Sequence, residues 1–320
     1  MLETAGSVLH VRNNKLMVKK VLKIIFIISL IFSVFTGCRS AATSAEEYFS
    51  IGMAYFELGR YDEAERWLNR ARSADRTMTA SQYNLGRLAF ERQRYSEAAG
   101  HFEDILNRDP NNVLALRAAA YTRIRTGDID IADRHYSRLL TLVPESADDG
   151  YNHALVLYAM ERYGDAEKVL ERYPLSLQDK QENLLLYARS QKAQNKIEAI
   201  NSYTSWLNTN NDVRVRFEYA EVLEHHELYA RALEEYRKTL SETPSSSSNP
   251  KRSDIHFALA RVLLVADSAS NEGITELQRA VNDGFDDISA VEDLFNNTRV
   301  SAANRDLIRN ILADMLHQAQ

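Results

Sequence analysis

The stretch AEEYFSIGMAYFELGRYDEAERWLNRARSADRTM, residues 45–78, runs directly into TASQYNLGRLAFERQRYSEAAGHFEDILNRDPNN, residues 79–112. Laid one under the other, with Thr79 beneath Ala45, the two read alike. Tyr48, Ile51, Gly52 and Tyr55 answer to Gln82, Leu85, Gly86 and Ala89, a spacing of three and four that puts each set on one helix face. A second set follows: Tyr61, Ala64, Leu68 and Ala71, then Tyr95, Ala98 and Phe102. Gly59 is placed to end a first helix by taking the left-handed C′ conformation. Pro110 is placed to stop the second helix. Each block therefore predicts a helical hairpin. Gly52 and Gly86 mark where helices approach too closely for a side chain, with Ala64 and Ala98 expected opposite them. Leu68 and Phe102 are expected to fill the space between hairpins.

A fixed period of 34 residues, with a small residue in mid-helix, an Ala-x-x-x-aromatic pair and a terminal proline, resembles the tetratricopeptide repeat (TPR). The resemblance implies an all-α fold, a right-handed superhelical solenoid of about six to seven hairpins with a C-terminal capping helix. A lone hairpin cannot bury its apolar face, so neighbours must stack.

The pattern continues. A third repeat starts at Val113 and carries Leu116, Ala119, Ala120, Gly127, Ala132, Tyr136 and Pro144, with Asp128 and Asp130 at the expected helix start. A fourth, from Ala147, keeps Ala154, Leu157, Tyr163, Ala166 and Leu170, and Pro174 arrives early enough to cut its second helix short. A fifth, from Lys180, is degenerate, with Leu186, Ile197, Ala199, Tyr203 and Trp206 surviving. A sixth, from Val213, is clear again with Tyr219, Ala220, Leu223, Tyr229, Ala232, Tyr236 and Pro244. Starts at 147, 180 and 213 imply that each of these repeats is one position shorter than those before.

The expected organisation is repeats over 45–244, a Ser/Pro loop over 245–252, and a divergent repeat with capping helices over 253–320. In the last segment Leu307, Ile308, Ile311, Leu312, Met315 and Leu316 predict one apolar helix face.

The amino terminus is of another kind. Lys19, Lys20 and Lys23 precede an apolar run from Ile24 to Phe35, followed by Thr36, Gly37 and Cys38. This is the layout of an export signal over 1–37, and its apolar run is too short to span a bilayer comfortably. Phe35-Thr36-Gly37-Cys38 resembles a bacterial lipobox, with Phe35 where leucine is usual. The resemblance implies that Cys38, the only cysteine, is acylated and becomes the first mature residue, leaving 38–44 as a short tether. The bland alternative is a plain secretory signal with Cys38 incidental. Residues 1–16 do not fit an n-region, so translation is expected to start at Met17. The implied location is the bacterial envelope, anchored to a membrane and facing the periplasm.

Composition is that of an ordinary folded protein, 45% hydrophobic and 26% charged. The whole chain carries −6; removing residues 1–37, which hold five basic residues and one acidic, leaves −10. That balance argues against nucleic acid and against a polybasic lipid-binding patch. No phosphate loop, nucleophile elbow or His-Glu-x-x-His motif is present. His226-Glu227 begins like the last, but Ala230 stands where the second histidine belongs. His225 and His226, adjacent on a helix, point about 100° apart and cannot chelate together. No catalytic residue, metal or cofactor is expected.

In TPR arrays, first-helix positions 2, 5, 9 and 12 face the concave surface. The resemblance thus assigns a partner-binding groove to Phe49, Met53 and Phe56; Tyr83, Arg87 and Phe90; Arg117, Tyr121 and Ile124; Tyr151, Leu155 and Tyr158; and Phe217, Glu221 and Glu224. Tyrosine and arginine are the residue types of binding hot spots, and Arg87 with Arg117 could clamp a carboxylate. The bland reading is that the aromatics pack hairpin on hairpin and the arginines pair with Glu91 or Glu103. Phe49 and Met53 replace the Lys and Asn by which some TPR proteins hold chaperone carboxyl termini. The expected partner is an envelope protein or extended peptide held by a non-catalytic scaffold. The alternative is an accessory to periplasmic solute transport, using Phe49, Met53, Phe56, Phe90 and Leu155 to hold a hydrophobic ligand or contact a binding protein.

Overall fold

The computed structural model describes residues 44–267 and 270–318, and every element of secondary structure among them is helical. The signal, lipobox, tether and start-site expectations over 1–43 lie outside the described residues. The chain divides into two compact units, one ending at Pro144 and one beginning at Glu145.

The first unit holds three hairpins. Helix α1 (44–57) pairs with α2 (Tyr61–Ala74), α3 (Thr79–Glu91) with α4 (Tyr95–Leu106), and α5 (Val113–Thr126) with α6 (Ile129–Leu142). The close approach at Gly52 and Gly86 is real, but its partner is not the expected alanine. A Cβ on Gly52 would lie 2.9 Å from Leu68 Cγ, and one on Gly86 would lie 2.6 Å from the Phe102 ring. The Ala-x-x-x-aromatic pair thus works in two parts. Ala64 and Ala98 are fully buried, and the larger side chain one turn on fills the space that glycine leaves. Burying such a side chain contributes about 1.5–3 kcal/mol. Ile51, expected on the apolar face, is 37% exposed.

The turns show the repeat most plainly. Gly59, Gln93, Gly127, Glu161 and Asn195 all have positive φ, and they recur at one constant interval, the offset that also carries Gly52 onto Gly86. Glycine meets this conformation without steric strain, whereas Gln, Glu and Asn are held there by the closure of the hairpin around them. The next such residue, Glu227, falls two positions short of that interval. The helix starts agree: Thr79, Val113, Ala147 and Gln181 are evenly spaced, and Val213 comes two positions early. The repeats therefore do not shorten one position at a time. The period holds into the fifth repeat and contracts there, where α11 (Ala199–Leu207) spans nine residues.

The second unit runs through α7 (Ala147–Ala159) and α8 (Tyr163–Glu171), α9 (Pro174–Asp179), α10 (Gln181–Ala193) and α11, α12 (Val213–His225) and α13 (Tyr229–Glu242), α14 (Arg252–Ala266) and α15 (Asn271–Asn282), then α16 (Ile288–Asn296) and α17 (Ala302–Gln318). Helix α8 is short, and Pro174 opens α9 at its first position, where a missing N–H matters least. Tyr173, just ahead of it, lies against Gly150, where a Cβ would come within 2.2 Å of the ring. Helix α14 shares a core with α12 and α13, and Arg252 donates to the carbonyls of Leu240 and Thr243 at 3.0 and 3.1 Å. The Ser/Pro loop is thus bridged at its base. In the final hairpin the glycine has changed helices: Gly273, on α15, meets Leu264 of α14. On α17, Ile308, Ile311, Leu312 and Met315 are buried, but Leu307 and Leu316 are 44% and 46% exposed. Its apolar face is narrower than the sequence suggested.

Helix starts use side chains sparingly. Asn112, Ser146, Asp212, Ser270 and Asp287 accept from backbone N–H groups one turn on. Asp128, expected to cap α6, instead accepts from Thr126 Oγ1 at 2.8 Å and from Arg123 at 2.9 Å. These contacts hold its carboxylate below the usual range, Thr126 contributing most.

Candidate functional site

In the first unit the first-helix faces bring part of the expected groove together. Arg87 lies over the Phe56 ring at 4.8 Å and donates to Asn84 Oδ1 at 3.0 Å. Phe90 sits 5.5 Å from Tyr121 and 5.1 Å from Tyr95, centroid to centroid. Arg87, Phe90 and Tyr121, with Glu91, Ala118 and Thr122, surround a small pocket of about 120 Å³ floored by Phe102. Tyr121 is 47% exposed, high for a large aromatic held by a ring contact. Phe49, Met53 and Phe56 pack on the cluster of Ala64, Leu68, Leu85 and Leu88 and do not line this pocket. Tyr83 packs on Phe102 at 5.5 Å. Arg117 and Ile124 are half-buried on α5, outside the lining.

The expected pairing of Arg87 with Glu91 or Glu103 is not what forms. Glu103 is held by Arg123 at 3.2 Å and by His135 at 3.0 Å. Arg87 instead keeps its guanidinium between an aromatic face and an amide. Phe102, Ala118 and Thr122 were absent from the expected site. They belong to positions that sequence reads as packing, and only the stacking of α4 against α5 brings them to the pocket.

The second unit treats the same positions differently. Tyr151 and Tyr158 pack beside Ala154, Leu157 and Leu186, and burial lifts both phenols above their ordinary range. Leu155 is 38% exposed. Phe217 packs at 5.3 Å on the buried ring of Tyr236. Glu224 accepts Arg261 in a two-pronged pair at 2.6 and 2.8 Å and the Tyr236 hydroxyl at 2.8 Å. Glu221 is paired with Lys192. The preceding hairpin makes a similar pair with α12: Arg189 reaches both oxygens of Glu218 at 2.8 and 2.9 Å, and Tyr203 donates to it at 3.0 Å. Both expected groove carboxylates, Glu221 and Glu224, are thus taken up by internal pairs. Arg189 and Arg261 went unnoticed because they fall in degenerate repeats. The signal that could have found them is a buried tyrosine, at Tyr203 and Tyr236, whose hydroxyl requires a partner.

His225 and His226 stack edge-on at 5.2 Å and do not converge, and no group of three potential metal ligands occurs among the described residues. Nor is any helix among them long and apolar enough to cross a membrane.

Comparison with known proteins agrees with this architecture. The tetratricopeptide repeat family model matches residues 49–113 and 83–147. A tetratricopeptide repeat protein from Parabacteroides merdae ATCC 43184 superposes with a TM-score of 0.52 at 17% identity, covering 83% of this chain and 99% of that one. A Treponema pallidum (strain Nichols) protein described as an uncharacterized lipoprotein is 26% identical over 148 residues, 46% of this chain and 76% of its own length. Residues 49–147 thus match the tetratricopeptide repeat family, and the described helices share its fold, an architecture that supports a protein-interaction scaffold.

Proposed function

We propose that this protein is a lipid-anchored adaptor of the bacterial envelope that holds an extended segment of a partner protein and performs no chemistry of its own. The observation that carries the reading is the pocket around Arg87, Phe90 and Tyr121, where an exposed tyrosine and a guanidinium flank an apolar floor. An aromatic or aliphatic anchor side chain would seat on Phe102, and a neighbouring carboxylate would meet Arg87. Support for the anchor comes from the lipobox-like Phe35-Thr36-Gly37-Cys38 and from the lipoprotein among the relatives. Pocket size weighs against the solute-holding alternative: about 120 Å³ is well under the roughly 300–1,000 Å³ of small-molecule sites.

The test is photocrosslinking in intact cells with a photoreactive residue at Tyr121, followed by mass spectrometry. A single envelope protein trapped there supports the adaptor. Trapped lipid or solute with no protein would replace it with the transport accessory.

A further inference from the structure

An open polar cavity of the first unit lies away from the groove. It holds about 570 Å³ and is lined from the second helices of two successive hairpins, with one residue from the first turn of α3. Three of its residues are arginines. Arg72 comes from the last turn of α2, Arg76 from just beyond it, and Arg108 from just beyond α4. Arg72 and Arg76 have no acidic partner among the described residues. Arg108 is anchored through neutral groups, its Nε donating to the Asp104 carbonyl at 3.1 Å and its Nη1 to the Arg76 carbonyl at 3.2 Å. Its charge is therefore positioned but uncompensated. Elsewhere in this unit some arginines are answered by carboxylates, as Arg92 and Arg94 are by Glu65, and others by neutral groups, as Arg138 is by Asn111.

The remaining lining is polar. Gln82 is 2% exposed, unusual for an amide on a repeat surface. It donates to His101 Nδ1 at 3.0 Å and to Asp104 Oδ2 at 3.1 Å, holding that carboxylate at the cavity wall. Asn69 and Ser73 complete the wall, and no aromatic or aliphatic side chain contributes.

We propose that this cavity binds a phosphorylated sugar. Three guanidinium groups against one carboxylate leave a local balance of +2, which matches a phosphomonoester near neutral pH. Arginine forks suit its oxygens. Asp104, an acceptor only, would repel a bare anion but takes hydrogen bonds from hydroxyl groups, and Asn69 and Ser73 can do the same. The absence of any apolar wall disfavours a peptide or a base. The phosphosugar could be a free solute or the headgroup of a membrane lipid, and the recognition chemistry is shared. This reading does not depend on what the groove holds.

The experiment is calorimetric titration of the purified full chain with glucose 6-phosphate, glucose and inorganic phosphate, with flotation on vesicles containing phosphatidylinositol 4-phosphate in parallel. Saturable binding of glucose 6-phosphate, tighter than either half alone, is expected. The double variant Arg72→Gln/Arg76→Gln should weaken it by about tenfold or more, because two charge-assisted hydrogen bonds to the phosphate are lost. Asp104→Asn should weaken glucose 6-phosphate while strengthening inorganic phosphate. Arg70→Gln, whose guanidinium stacks on Trp67 at 4.5 Å, is the surface-charge control and should change nothing. Vesicle binding lost in the double variant, without binding of the free sugar, would support the same chemistry with a membrane source. Binding of neither probe would overturn the proposal. So would binding undiminished in the double variant, inorganic phosphate binding as tightly as the phosphosugar, or an oligo-glutamate peptide binding more tightly than both.

Discussion

The two units build similar hairpins from different chemistry. Residues 44–144 contain 14 arginines, no lysine and 15 acidic residues, close to neutrality. Residues 145–320 contain 19 basic and 29 acidic residues, a net of −10. In the first unit the two helices of a hairpin meet through glycine against Leu68 or Phe102, and the first-helix face keeps Arg87 and Tyr121 for other uses. In the second, buried tyrosines donate to glutamates that neighbouring arginines clamp. A group that a repeat ties up in internal hydrogen-bonded pairs is not offered to a partner. The first unit is therefore the better candidate for recognition, although the sequence pattern marks groove positions equally in both.

The sharpest way to break this comparison is to overfill the glycine contact. Gly86→Leu should destabilise by about 3 kcal/mol or more, because the Phe102 ring has nowhere to go. Gly52→Leu should destabilise by about 1–3 kcal/mol, since Leu68 can change rotamer. Denaturant unfolding measures both, and an unshifted midpoint for Gly86→Leu would remove the account of packing in the first unit. In the second unit Glu224→Gln should destabilise by about 1–3 kcal/mol, a value discounted because Arg261 retains access to water. If Glu224→Gln were neutral, the ionic pairs would be ornaments of an apolar core.

Alkaline pH sharpens the contrast further. Burial, then the charge of Glu218, pushes the Tyr203 phenol up, and burial does the same for Tyr236 beside Glu224. A phenol whose folded pKa is raised stabilises fully below the unfolded value of about 10, and that stability drains away as pH climbs beyond it. Protection factors over 199–207, referenced to base-catalysed intrinsic exchange, should therefore fall between about pH 10 and 11, and Tyr203→Phe should flatten the dependence. Unchanged protection in the wild type across that range would contradict the assigned burial.

The smallest expected effect on folding is the most informative about function. Arg87→Glu with Tyr121→Ala should lower stability by less than about 1 kcal/mol, mostly from the lost stacking on Phe56. Partner capture at the groove should nevertheless fail. Retained capture would move the recognition surface elsewhere.

The legible part of the fold was the part written in period and residue size. Gly52 and Gly86 could be placed from sequence because glycine has few other reasons to recur at the repeat interval. Gln93, Glu161, Asn195 and Glu227 take the left-handed turn that Gly59 and Gly127 take, and could not be placed, since nothing in their side chains announces it. The fifth repeat misled by its degeneracy, and its contraction became visible only once α11 was placed. Candidate groove residues were legible as positions but not as commitments: Glu221 and Glu224 looked as available as Arg87 and Tyr121.

By itself the sequence determined the hairpin unit, its period and its helical class, because these follow from local rules about helix faces, turn residues and side-chain volume. Only the tertiary structure decided which polar groups stay available to a partner. Arg189 meets Glu218 across 29 residues, Arg261 meets Glu224 across 37, and Arg108 meets Arg76 across 32. Such partners are chosen by the stacking of one hairpin on the next. The energies that select them depend on distance and burial, neither of which the order of residues states.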